Sequence, residues 1–146
     1  MKLVLLSLLL GLSLSYIENN AIRYARNYCN VYNTYYNNYR NSGGDCANFV
    51  SQCLIEGGQD LSGCGGRDGK GAIPLVSNLR NCLQLKGWKY TTGVSRYFKP
   101  GYPFFNGNSH AMIATGVSGS KVTYCAHTND RCDYTITAPT YDYFYL

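Results

Sequence analysis

The sequence predicts an α+β domain, with N-terminal helices packed on a C-terminal antiparallel β-sheet. Apolar residues recur at helical spacing through the first half of the chain. β-branched and aromatic residues gather in short segments split by turns through the second half. Helices in one run and strands in the next, without alternation, is the pattern of α+β architecture.

The first helix is expected from Tyr16 to about Tyr32, where Ile17, Ala21, Tyr24, Ala25, Tyr28 and Cys29 share one face. The Asn-, Tyr- and Gly-rich stretch 33–44 reads as a loop. A second helix should run from Cys46 to about Ile55. Its stripe is Phe49, Val50, Cys53 and Leu54, Asp45 can cap its start, and Gly57-Gly58 stops it. The segment 60–71 is glycine-rich and irregular, tethered by Cys64. A third helix is expected from Leu75 to about Leu85. Strands are expected at 88–92, 111–117, 121–126 and 134–137, with Gly119-Ser120 as a hairpin turn. A closing strand is expected at 141–146.

Compartment and charge narrow the function. Lys2, the apolar run Leu3–Leu14 and the small Ser13 and Ser15 have the form of a secretory signal peptide, with cleavage near Ser15–Tyr16. Residues 16–146 then form one domain, secreted or held in a lumenal compartment, where disulfides persist. No second apolar stretch approaches spanning length, so no transmembrane segment is expected. The net charge of +5 is spread without a run of Lys and Arg, which argues against nucleic-acid binding. The fifteen tyrosines suit a contact surface, although core filling and strand propensity explain most of them.

Seven cysteines are an odd number, so complete pairing within one chain leaves a thiol over. The candidate is Cys46, at a helix start after Gly43-Gly44-Asp45. Unpaired N–H groups and partial positive charge at a helix N-terminus favour thiolate, and the same groups can hold an oxyanion. The remaining six cysteines can pair in fifteen ways. One set joins neighbours in sequence: Cys125–Cys132 and Cys53–Cys64, leaving Cys29–Cys82. Cys46 and Cys53 lie two helical turns apart, about 10 Å, too far for a disulfide.

A thiol nucleophile needs a proton acceptor, and the chain has two histidines. His110 opens an apolar strand and can face the helix bearing Cys46. Reflection about Gly119-Ser120 sets 110 near 129 and 127 near 112. His127, or alternatively Asn129, is then placed to orient His110 as the third member of a triad. A zinc site is disfavoured, since no Cys-x-x-Cys pair exists, and no metal or cofactor is expected.

These residues carry a family resemblance. Asp45-Cys46-Ala47-Asn48-Phe49-Val50-Ser51-Gln52-Cys53-Leu54, followed by Gly57-Gly58, closely resembles the "DCTNFVSQ…L…GG" signature of the Putative amidase domain family. That family comprises secreted cysteine hydrolases similar to the papain-like, NlpC and CHAP superfamily. Ala21–Ala25, Asn33–Tyr36, Ser109-His110 and His127–Arg131 resemble further family segments. The resemblance implies Cys46 as nucleophile, His110 as base and His127 as orienting residue. It implies an oxyanion candidate at Tyr36 and a peptide or peptidoglycan substrate; Asp45 is a further oxyanion candidate, and a monomer is expected. Thr34 stands in place of the family's proline and Ala47 in place of its usual Thr. Pro100-Gly101-Tyr102 stands where the superfamily often has Pro-Gly-Asp. The alternative from another class is a non-catalytic, disulfide-stapled secreted binding protein whose Tyr-rich loops contact glycan or protein.

Overall fold

The computed structural model describes residues 15–146. The expected signal peptide therefore falls almost wholly outside the described residues. Three helices come first: α1 (Glu18–Tyr28), α2 (Cys46–Glu56) and α3 (Val76–Leu85). Six strands follow: β1 (Lys89–Thr92), β2 (Pro103–Asn106), β3 (His110–Ser118), β4 (Lys121–Ala126), β5 (Arg131–Thr137) and β6 (Asp142–Tyr145). They form one antiparallel sheet in the order β1-β6-β2-β3-β4-β5. The α+β expectation holds.

The middle strand β3 is buried over 111–115, against α1 and α2 on its helical side. Because α2 is buried from Cys46 through Leu54, it is the central helix, and α1 and α3 both contact it. Its C-terminus is closed by a Schellman motif. The Gly58 N–H bonds to Ile55 O at 2.9 Å and the Gln59 N–H to Leu54 O at 2.9 Å. Gly58 sits at φ 93°, a left-handed conformation that glycine adopts without penalty. The hairpin at Gly119-Ser120 is present, with Ser118 paired to Lys121.

One strand escapes the sequence pattern. β2 is four residues long, starts on Pro103 and ends beside Gly107, so its flanks read as turn. It becomes a strand because β3 and β6 hydrogen-bond to its two edges. Proline is tolerated at its first position.

The cysteine pairing also differs from the neighbour-in-sequence set. Disulfides join Cys29 to Cys132 and Cys64 to Cys82, while Cys46, Cys53 and Cys125 are free and buried. Cys125 and Cys132 lie on the paired strands β4 and β5, but Cys125 is buried and accepts from the Asp133 N–H at 3.4 Å, while Cys132 lies on the exposed strand. Cys29, at the end of α1, meets Cys132 across the helix–sheet interface. Three thiols therefore remain where the odd count predicted one.

Candidate functional site

Two glycines in left-handed conformations, Gly43 at φ 96° and Gly44 at φ 100°, turn the chain into α2. A Cβ on Gly44 would come within 3.2 Å of Thr128 Oγ1, so the turn also needs glycine for close approach. Cys46 is the first residue of the helix and is 8% exposed. Of the three free thiols it is the one with measurable solvent access, since Cys53 and Cys125 have none.

Burial pushes the Cys46 thiol up from its ordinary range. The backbone N–H groups of Ala111, Ala47 and Cys46 itself act on the sulfur in the opposite sense, and the Asp45 charge adds to the rise. The helix start thus supplies donors that oppose desolvation without outweighing it. The Ala111 contact sets the sulfur beside the first residues of β3.

His110 begins that strand. It pairs with Asn106 across the β2–β3 turn. The turn is held by Ser109 Oγ donating to Asn106 O at 2.8 Å and by Arg80 Nη1 donating to Gly107 O at 2.9 Å. Arg80 is itself fixed by Asp142 at 2.8 Å. Burial holds the His110 imidazole below the usual histidine range, so it is neutral near pH 7. Among the described residues, neither ring nitrogen of His110 has a hydrogen-bond partner within the chain. A neutral imidazole with an open nitrogen, one residue from the amide that touches the thiol, has the form a general base requires.

His127 is differently placed. It is 1% exposed, with Nδ1 at 2.6 Å from Asp45 Oδ2 and Nε2 at 2.7 Å from Tyr28 O. Its ring is sandwiched between Phe49, at 3.9 Å between centroids, and Tyr32, at 4.2 Å. A carbonyl oxygen only accepts, so Nε2 carries a proton, and Nδ1 faces the carboxylate. Both nitrogens are engaged, and the expected partnership with His110 is replaced by one with Asp45. The alternative third residue, Asn129, is exposed at φ 59° in the turn after β4.

Asp45 stands at the N-cap position of α2 but makes no side-chain cap bond. Its Oδ1 accepts from the Tyr39 N–H at 2.9 Å and from Asn48 Nδ2 at 2.9 Å, and its own N–H donates to Thr128 Oγ1 at 3.2 Å. The expectation of a capping side chain is corrected here: the carboxylate is turned into the buried network instead. With its N–H and carboxylate both occupied, Asp45 has no donor left for an oxyanion. Tyr36 lines a groove with Ile55 and Gln59 at the far end of α2, about 10 Å or more along the helix from Cys46.

The polar residues of the Asp45–Leu54 segment acquire distinct tasks. Asn48 donates to Asn37 O at 2.8 Å as well as to Asp45. Ser51 Oγ receives the Ile73 N–H at 3.0 Å. Gln52 Oε1 accepts from the Tyr24 hydroxyl at 2.6 Å. Each satisfies a buried polar group or ties a loop to α2. Only Cys46 is left with reactive chemistry. Sequence reasoning missed Thr128 and Asn37, whose signals were a turn residue and a loop residue with no periodicity.

The fold and site together define an α+β domain in which a helix-start thiol faces a strand led by a histidine. The chain belongs to the family described as Putative amidase domain, whose model matches residues 15–99. Membership in that family points to a hydrolase acting on amides. The match contains Cys46 and ends before His110 and His127. No curated protein and no solved structure matches the chain.

Proposed function

We propose that this protein is an exported cysteine amidase or peptidase, papain-like in arrangement and related to the NlpC and CHAP enzymes. Residues 16–146 form its single catalytic domain, freed of the leader 1–15. The observation that carries the reading is the Cys46 sulfur against the backbone N–H of Ala111, the residue that follows His110, whose imidazole has no partner among the described residues.

His110 accepts the thiol proton as the sulfur attacks an amide carbonyl carbon. The C–N bond breaks as His110 returns the proton to the leaving amine, and a thioester remains on Cys46. Water, deprotonated by His110, attacks the thioester, releasing a carboxylate and restoring the thiol. The first-turn N–H groups of α2 stabilise the developing oxyanion. The peptide part of bacterial cell wall fits an exported, disulfide-bonded, mildly basic enzyme.

The experiment is incubation with purified peptidoglycan and with model peptide amides, followed by mass spectrometry of the fragments. Wild-type protein should release peptide fragments, and Cys46→Ala should release none while unfolding at the wild-type temperature. Full activity in Cys46→Ala removes the thiol from the mechanism. A Cys46 found in a mixed or intermolecular disulfide favours the binding-protein alternative.

A further inference from the structure

We propose that the His127-Thr128 corner is a positioning clamp that keeps the Asp45 carboxylate off the start of α2, leaving the first-turn N–H groups open and the anion farther from the Cys46 sulfur than a cap would hold it. The inference rests on the reading of Cys46 as the nucleophile.

Aspartate is among the residues that most readily cap a helix, accepting from the second or third N–H of the first turn. Asp45 is in position to do so and does not. Its backbone, at φ −112° and ψ 6°, is turned out of the extended conformation that capping residues usually take. Four hydrogen bonds hold it there. His127 Nδ1 takes Oδ2, the Tyr39 N–H and Asn48 Nδ2 take Oδ1, and Thr128 Oγ1 takes the main-chain N–H. A released carboxylate would bond to the Ala47 or Asn48 N–H, remove oxyanion donors and place negative charge on the thiol.

The clamp is itself anchored. His127 Nε2 donates to Tyr28 O at the C-terminus of α1, where the last carbonyls have no intrahelical donor. The next residue, Cys29, is cross-linked to Cys132 in β5. His127 therefore joins the end of one helix to the start of the next.

Thr128 supplies the second observation. It is a β-branched residue at φ 65°, followed by Asn129 at φ 59°. Such a conformation costs roughly 1–3 kcal/mol and persists where the surroundings impose it. Turning the chain from β4 to β5 does not need a threonine, since Gly or Asn would turn it without that cost. What the threonine adds is the hydroxyl that holds Asp45.

Substitution at Thr128 separates positioning from folding, because the residue is exposed. Thr128→Gly relieves the backbone and removes the hydroxyl, while Thr128→Ser keeps the hydroxyl. Cys46 alkylation by iodoacetamide, followed by peptide mapping near pH 8, reads the thiol directly. Thr128→Gly should keep or raise the thermal midpoint, yet slow Cys46 alkylation roughly tenfold, the change for one unit of thiol pKa. It should lower kcat with KM unchanged, and Thr128→Ser should recover most of the loss. Wild-type alkylation and kcat in a folded Thr128→Gly protein overturn the clamp. Slowed alkylation in a protein with no amide hydrolysis sustains the clamp and instead refutes the proposed reaction.

Discussion

The start of β3 and the end of β4 each carry a histidine, and the two have opposite chemistry. His110 is half-buried at a strand start, with no partner within the described chain. His127 is fully buried with both nitrogens bonded. Burial alone acts on His110 and disfavours its charged form. At His127 the lost hydration is replaced by a carboxylate, a helix-terminal carbonyl and two stacked rings. An unsatisfied imidazole suits the proton transfer proposed for His110, whereas at His127 every nitrogen is satisfied in holding a loop.

The sharpest way to break this contrast is to remove each ring. His110→Ala should lower amide hydrolysis by roughly 10²–10⁴-fold with little change in thermal midpoint. His127→Ala strands the buried Asp45 carboxylate and should cost roughly 3–5 kcal/mol of stability by urea unfolding. If His110→Ala unfolds the protein, or His127→Ala leaves stability untouched, the two roles are wrongly divided.

The cross-links sharpen the comparison next. Cys29–Cys132 spans 103 residues and closes at the His127 end, while Cys64–Cys82 spans 18 residues around the loop before α3. Loop-closure entropy gives about 4.7 kcal/mol for a loop of some 100 residues and about 3 kcal/mol for one near 15. The Cys29→Ser/Cys132→Ser pair should therefore lower the unfolding free energy more than the Cys64→Ser/Cys82→Ser pair. Equal losses would show that residual denatured-state structure, not loop length, sets the contribution.

The smallest effect is on pH. The folded His110 is held below the usual histidine value of about 6.5. A base must be neutral, so the acid limb of kcat/KM should fall below about pH 6.5. For stability the sign is the same. The native state resists protonation that the unfolded chain accepts, so this contribution is complete above the unfolded value and is lost as pH falls. His110→Gln should flatten that slope in urea titrations. An acid limb above 6.5 would assign the proton transfer to another group.

Much of the fold was legible because it is local. The stripe Phe49, Val50, Cys53, Leu54 and the Gly57-Gly58 stop defined α2 to within a residue. Gly119-Ser120 marked its hairpin, and the register beyond it follows the reflection about that turn, apart from a bulge between Ala114 and Gly116. β2 was not legible, since its identity comes from the strands on either side. At the site, Cys46 and His110 stood out as residue types in context. The tie from Asp45 to His127 did not, because it joins positions 82 apart in the chain.

By itself the sequence determined the three helices, five of the six strands, and the Asp45–Leu54 segment that opens on a cysteine. Those features depend on residues within a turn or two of one another, where periodicity, capping and glycine decide. Only the tertiary structure decided which cysteines pair, where the Asp45 carboxylate points and which histidine stays free. Those choices depend on which ends of helices and strands meet, and no local pattern records that.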